Sequence, residues 1–129
     1  MDLLDALRRP EGKTLEFKRD LSSPEGFLRT VVAFANTAGG IVLVGVEDGT
    51  RRVRGVAKPL VLEERAANLI SDSISPRLLP DIELLSYRKT NVLAVQVFPS
   101  GARPHFLTRA GIEAGTYVRV GSTNRHADV

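Results

Sequence analysis

The hydrophobic pattern changes its period within residues 31–49. Apolar side chains at Phe27, Val31 and Phe34 recur at helical spacing and predict an amphipathic helix. Residues 41–46 instead form a short, almost unbroken apolar run rich in β-branched side chains, which is typical of a strand covered on both faces. This stretch therefore predicts a helix, a turn and a buried strand in immediate succession.

Small and polar residues predict the turn between that helix and that strand. Gly39 and Gly40 can adopt the positive φ that follows a helix end without Cβ strain, and Asn36 tolerates it. The glycine pair lacks the spacing of a phosphate-binding loop, and it follows a helix whereas such a loop precedes one. We therefore expect Asn36, Gly39 and Gly40 to be structural turn residues that leave Glu47 and Asp48 at the accessible end of the strand.

Similar patterns predict the remaining elements. Ser23 is expected to cap the first long helix, because its hydroxyl can accept from free backbone N–H groups. In the last strand, alternation predicts that Val118 and Val120 face inward, and that Tyr117 and Arg119 face outward. The predicted elements are a short N-terminal helix near residues 3–7, a strand at 14–18, a hairpin partner of the buried strand at 51–56, a helix at 62–74, an antiparallel pair at 81–87 and 91–98, and the last strand at 116–120.

This order predicts an α+β fold, with two main helices and a short N-terminal helix packed on a mixed, largely antiparallel sheet. The chain has 129 residues, 43% of them hydrophobic, which suits one domain over residues 1–129. Residues 121–129 are polar and show no finishing element, so we expect the N-terminal part of a longer protein. Absence of cysteine, of a signal peptide and of an apolar run near ~18 residues predicts a cytoplasmic protein without a membrane partner.

The charge balance is compatible with binding to nucleic acid. The net charge is +3, from 18 Lys and Arg against 15 acids. Aromatic residues make up 5% and Trp is absent, so contacts to phosphate and shape are favoured over a stacking platform. The candidate phosphate-binding residues follow strands near the acidic loop; they are Arg51, Arg52, Arg54, Arg119 and Arg125.

Glu16 and Lys18 lie two positions apart on the predicted exposed face of a strand. A carboxylate and a lysine in this arrangement can hold a divalent ion and orient a phosphate, but a solvated face or a salt bridge needs the same residues. Glu11 precedes Glu16 by five positions, an odd spacing, so the two converge only if Glu11 lies in a loop or bulge. His105 and His126 are not part of a catalytic-triad pattern with a nucleophile, so we expect both at the surface.

Three segments together resemble the Schlafen-type AlbA-like domain. They are LEFK at 15–18, AFANTAGGIVLVGVEDG at 33–49 and YVRVGSTNR at 117–125, and they cover nearly the whole chain in the right order. The resemblance implies an α+β nucleic-acid-binding domain of the kind found in bacterial transcriptional regulators and animal Schlafen proteins. In bacterial relatives, helical regions that include a winged helix-turn-helix often follow it.

The resemblance also implies a candidate chemistry. The Schlafen branch includes metal-dependent endoribonucleases that act on structured RNA such as tRNA with two glutamates and an aspartate. These fall on Glu11, Glu16 and Asp48, with Mg²⁺ or Mn²⁺ as the implied cofactor and Lys18 near the phosphate. Gly12 stands where relatives commonly carry serine, and nuclease Schlafens pair two such domains, so a lone copy would need to form a homodimer.

Two functions of different classes therefore remain open. The first is a nucleic-acid-binding module of a transcriptional regulator that grips backbone phosphates with arginines. The second is a metal-dependent endoribonuclease. We favour binding because it needs fewer coincidences, and we disfavour a nucleotide-binding regulatory domain because a phosphate loop is missing.

Overall fold

The computed structural model describes residues 2–127, which form the predicted α+β fold. The helices are α1 Leu3–Arg8, α2 Pro24–Ala35, α3 Pro59–Ser73 and α4 Gly111–Gly115. The strands are β1 Leu15–Lys18, β2 Gly40–Val44, β3 Ile74–Ser75, β4 Asp81–Tyr87, β5 Thr90–Val97, β6 Phe106–Leu107, β7 Tyr117–Val120 and β8 Thr123–His126. Among the helices of residues 2–127, none is long and apolar enough to cross a membrane.

The predicted buried strand is β2, which lies inside a four-stranded sheet of order β1-β2-β5-β4. β1 runs parallel to β2, and the other pairs are antiparallel, so the predicted mixed, largely antiparallel sheet is confirmed. The segment 51–56 is not its hairpin partner, because β5 occupies that edge. The segment contacts the chain after β2 through an isolated bridge between Val46 and Val53 and through backbone hydrogen bonds, and it forms no regular strand.

Period-two alternation sends the side chains of β2 into two apolar layers. On one face, Val42 and Val44 pack with α2 and α3. On the other face, Leu43 packs with Phe17 of β1 and with Ala6 of α1. Burial on both faces explains why the sequence of β2 is a continuous run of apolar residues.

The last strand is oriented opposite to the prediction. Tyr117 and Arg119 are buried, while Val120 is 48% exposed. β7 lies against α2 and directs these two longer side chains inward, so the valine alternation was misleading. The polar end also differs from the prediction, because β8 pairs with β7 as an antiparallel hairpin. Residues 128 and 129 lie outside the described part of the chain.

Two smaller expectations are also wrong. Pro24 begins α2, but the Ser23 side chain makes no capping hydrogen bond. His105 is buried instead of lying at the surface, and its Nδ1 contacts the Pro76 carbonyl oxygen at 2.7 Å while its Nε2 contacts Ser100 Oγ at 2.6 Å. The carbonyl can only accept, so Nδ1 carries a proton. His126 is exposed, as expected.

Candidate functional site

The acidic loop after β2 is held by backbone hydrogen bonds and by one arginine. The Glu47 N–H donates to the Arg52 carbonyl at 2.8 Å, and the Arg51 N–H donates to the Glu47 carbonyl at 3.0 Å. The Arg51 guanidinium donates to the carbonyl oxygens of Leu7 and Arg8, at the end of α1. Asp48 is exposed in this loop. The loop is therefore anchored against α1 rather than paired as a regular hairpin.

Glu11 lies beside this loop, in the turn that precedes β1. Its Oε1 accepts from the Phe17 N–H at 2.6 Å, and the Asp48 side chain is within hydrogen-bonding reach. Burial is the main cause that raises the pKa of Glu11 to about 7; the neighbouring side chains of Asp48 and Glu16 add to it, and the hydrogen bond from the Phe17 N–H opposes it. Glu11 is therefore protonated in part of the molecules near neutral pH.

Glu16 has a different environment from the one predicted. Its side chain is 13% exposed, so it does not lie on an exposed charged face. Its Oε1 accepts from Arg119 Nη2 at 2.8 Å, and its Oε2 contacts Lys18 Nζ at 3.2 Å. Two cations therefore already neutralise this carboxylate.

The implied metal site does not fit this arrangement as a set of three ligands. Within residues 2–127, no three acidic or histidine side chains form a group that could hold a metal ion. Glu11 and Asp48 are neighbours, whereas the oxygens of Glu16 are bonded to Arg119 and Lys18. A magnesium or manganese ion would have oxygen ligands from the first two only.

Arg119 is part of the interior and not of a phosphate-binding rim. Its side chain is 0% exposed. Nε donates to the Gly12 carbonyl at 3.0 Å, and Nη1 donates to Asn124 Oδ1 at 2.8 Å. Besides Glu16, Nη2 reaches the Leu15 carbonyl at 3.4 Å, and the guanidinium lies 5.0 Å from the centre of the Phe34 ring. Arg119 thus joins the final hairpin to the turn that carries Glu11.

The turn after α2 joins three distant segments. Asn36 Nδ2 donates to the carbonyl oxygens of His105 and Tyr117, both at 2.9 Å, and its Oδ1 accepts from the His105 N–H at 2.8 Å. Gly39 has φ 76°, and a Cβ at Gly40 would lie 2.8 Å from the Phe34 ring. A side chain at either glycine would disturb this turn, which positions β2.

The remaining predicted arginines differ in their availability. Arg52 is exposed, and so is Arg125 on β8. Arg54 Nη2 forms a salt bridge with Glu47 at 2.8 Å, and the hydrogen bond from Arg54 holds the pKa of Glu47 below its usual value. Arg51 is engaged at the end of α1. Of the predicted arginines, Arg51 and Arg54 thus already form bonds within the fold, whereas Arg52 and Arg125 are exposed.

A cationic groove of about 670 Å³ lies between the chain after β1, the segment 54–58 and the first turns of α3. Among its described lining residues the only acid is Asp20, whose pKa is lowered first by hydrogen bonds from Ser22 and then by the charges of Arg19 and Arg65. The cations that line the groove are Arg19, Arg54, Lys58 and Arg65. We refer to this site as the cationic groove.

Comparison with known proteins decides the family. The chain matches the family described as Schlafen, AlbA_2 over residues 11–128. The chain belongs to this family. The prediction from the three sequence segments is therefore confirmed. The match begins at Glu11, so it includes the acidic loop, the glycine turn and the final hairpin of this AlbA_2 domain.

Two solved structures resemble the AlbA_2 domain in fold. One is the N-terminal domain of a RecG-related protein of Nitrosomonas europaea, named after an ATP-dependent DNA helicase, with 24% identity, a TM-score of 0.73 and coverage of 97% of this chain and 92% of that chain. The other is the DIP2311 protein of Corynebacterium diphtheriae, with 23% identity, a TM-score of 0.71 and coverage of 90% of this chain. This chain spans 22% of DIP2311. Both likenesses support the fold of the AlbA_2 domain.

Sequence reasoning missed most of the cationic groove of the AlbA_2 domain. Arg54 was a candidate, but Arg19, Lys58 and Arg65 were not. Arg19 directly follows β1, and Arg65 lies in α3 one position before the buried Ala66. The sequence signals that could have identified them were a cation directly after a strand, for Arg19, and a cation on the polar side of an amphipathic helix, for Arg65. Only folding shows that they face each other.

Proposed function

We propose that this AlbA_2 domain binds nucleic acid through backbone phosphates, as the nucleic-acid-binding module of a transcriptional regulator. The observation that carries the proposal is the cationic groove, where four cations face one acid. Family membership and the helicase-related structural neighbour support a nucleic-acid-related domain. Phosphate contacts from Arg and Lys supply most of the sequence-independent affinity of such domains.

The charges of the groove are suited to a ligand with several negative groups. Asp20 is occupied by hydrogen bonds from Ser22, at 2.6 Å from Oγ and 3.0 Å from the backbone N–H. Arg54 is held by Glu47, but that ion pair is partly exposed and a phosphate can compete for the guanidinium. Arg19 and Arg65 form no salt bridge among the described residues. Both guanidinium groups are therefore available to phosphate oxygens.

The salt dependence of binding tests this proposal. Affinity for a labelled duplex should fall with log salt at a slope of about −0.9 per phosphate contacted, without a requirement for metal. Arg19→Ala and Arg65→Ala should each weaken binding to all sequences and reduce the slope by about one contact. Arg109→Ala is the matched control, because Arg109 is exposed and lines a different depression. Negligible affinity for duplex DNA, single strands and tRNA at low salt would refute the proposal.

A second candidate is a metal-dependent endoribonuclease, favoured by the adjacent carboxylates of Glu11 and Asp48. A divalent cation bound there would offset their mutual repulsion, and Lys18 would lie on the neighbouring strand to contact a phosphate. The test is cleavage of tRNA with Mn²⁺ or Mg²⁺ by the wild type, Asp48→Asn and Glu11→Gln proteins. Intact tRNA with the wild type, or cleavage that survives in both folded variants, would rule out this candidate.

A further inference from the structure

We infer that the cationic groove takes a single-stranded segment of nucleic acid in preference to a duplex, an inference that rests on the proposed phosphate binding. The groove combines cations with an aliphatic surface. Its aliphatic lining residues are Val56, Ala57, Val61 and Leu62. Binding of phosphates explains the cations of the groove, but it does not explain the accessible apolar surface between those cations.

The aliphatic surface is open to a ligand. Val61 is 62% exposed at the start of α3, whereas Val56 and Leu62 are partly buried against the core beneath it. Gly55 approaches Thr90 so closely that a Cβ would lie 2.7 Å from the Thr90 Cβ, so backbone without a side chain forms this part of the lining. The groove therefore offers an apolar contact surface beside its charged side chains.

The volume and the chemistry of the groove select the occupant. About 670 Å³ lies within the range of roughly 300–1,000 Å³ typical of sites for small organic ligands, so a nucleotide-sized group fits. In a duplex the bases are stacked and paired, and mainly phosphates would reach the groove. In a single strand an unstacked base can pack on Val61 while its flanking phosphates contact Arg19, Arg54 or Arg65. The described lining residues include no aromatic side chain, so we expect weak dependence on base identity.

Fluorescence anisotropy of the 129-residue chain with a labelled 12-nucleotide strand and its duplex tests the inference. Both probes are prepared as DNA and as RNA, so that the measurement shows which nucleic acid the groove prefers. The single strand should bind more tightly than the duplex at equal salt. Val61→Ser should weaken binding to the single strand by about three- to tenfold, since part of a valine side chain loses its apolar contact, and it should weaken duplex binding by less.

Leu60→Ser is the matched control, because Leu60 is 72% exposed on the same helix turn but does not line the groove. Val61→Ala, which adds no polar atom, should shift the affinity in the same direction as Val61→Ser, and thermal unfolding checks that both variants fold. Duplex binding as tight as single-strand binding, or no effect of either Val61 variant, would overturn this inference and leave the proposed function standing. Absence of binding to every probe would overturn the proposed function itself.

Discussion

Replacing Arg119 with methionine removes the buried guanidinium and keeps an unbranched apolar side chain over Phe34. Four hydrogen-bond acceptors lose a donor, namely Glu16 Oε1, Asn124 Oδ1 and the carbonyl oxygens of Gly12 and Leu15. Among the described residues, Lys18 stays beside Glu16 and the Gly12 N–H still donates to the Leu15 carbonyl, whereas the Asn124 amide loses the neighbour that orients it toward Thr30. Arg119→Met should therefore destabilise the whole hairpin of β7 and β8.

The size of the effect follows from the burial of the ion pair. Removal of one partner of a buried pair typically costs about 3–5 kcal/mol, because an uncompensated charge stays in the interior. Glu16 is 13% exposed and keeps Lys18 at 3.2 Å, so we expect the lower end, about 3 kcal/mol. A domain of this size is typically stable by about 5–15 kcal/mol, so the variant should remain folded with a melting temperature about 10 °C lower.

Urea denaturation of a double-mutant cycle measures this coupling. Glu16→Gln in the Arg119→Met background should recover at least about 1 kcal/mol, because the unpaired carboxylate is then absent. Glu25→Gln is the control: its exposed pair with Arg29 should contribute less than about 0.5 kcal/mol. A cost of Arg119→Met below about 1 kcal/mol, or a coupling energy near zero, would refute a buried ion pair that supports the fold.

Two further predictions concern the turn and the acidic pair. Asn36→Asp keeps the size of the side chain but replaces the amide donor with a carboxylate that repels the carbonyl oxygens of His105 and Tyr117. Urea denaturation should show a loss of stability of about 2–4 kcal/mol. A loss as small as that of an exposed substitution would contradict the role of Asn36 in joining these segments. Glu11 has its pKa raised from 4.5 to about 7, so wild-type stability should fall as pH rises through that window. In the presence of a chelator, the free energy of unfolding of Glu11→Gln should equal that of the wild type near pH 4. Above pH 7 the variant should be more stable by about 1 kcal/mol, after allowance for solvent screening. A difference that does not depend on pH would contradict the raised pKa.

The central part of the fold could be predicted because its signals are local. The helical period of α2, the glycine turn and the apolar run of β2 all lie within residues 24–44. Each can be recognised without knowledge of the rest of the chain. The partner of β2 was not predictable in this way. β5 is distant in sequence, and the choice between it and the nearer segment 51–56 depends on packing of the whole sheet.

The cationic groove shows the same limit at the level of a site. Its cations come from the end of β1, from the loop before α3 and from α3 itself. Each cation alone resembles ordinary solvated charge, and no spacing rule joins positions 19, 54, 58 and 65. The predicted arginine set therefore shares Arg54 with the groove, and it included Arg119, which is interior.

The errors about Arg119 and Glu16 have one physical origin. An arginine in a strand is expected to face solvent, and with Arg119 outward the Glu16 carboxylate would be free to bind a cation. Once Arg119 is inside, the cost of its burial is offset only if acceptors surround it, and Glu16 becomes the charged partner that its burial requires. Glu11 forms no salt bridge with any residue in the described range 2–127, and it retains the neighbouring Asp48. The orientation of one strand therefore divides the three acids into the neighbouring pair of Glu11 and Asp48 and a third, Glu16, that is committed to an ion pair of the fold.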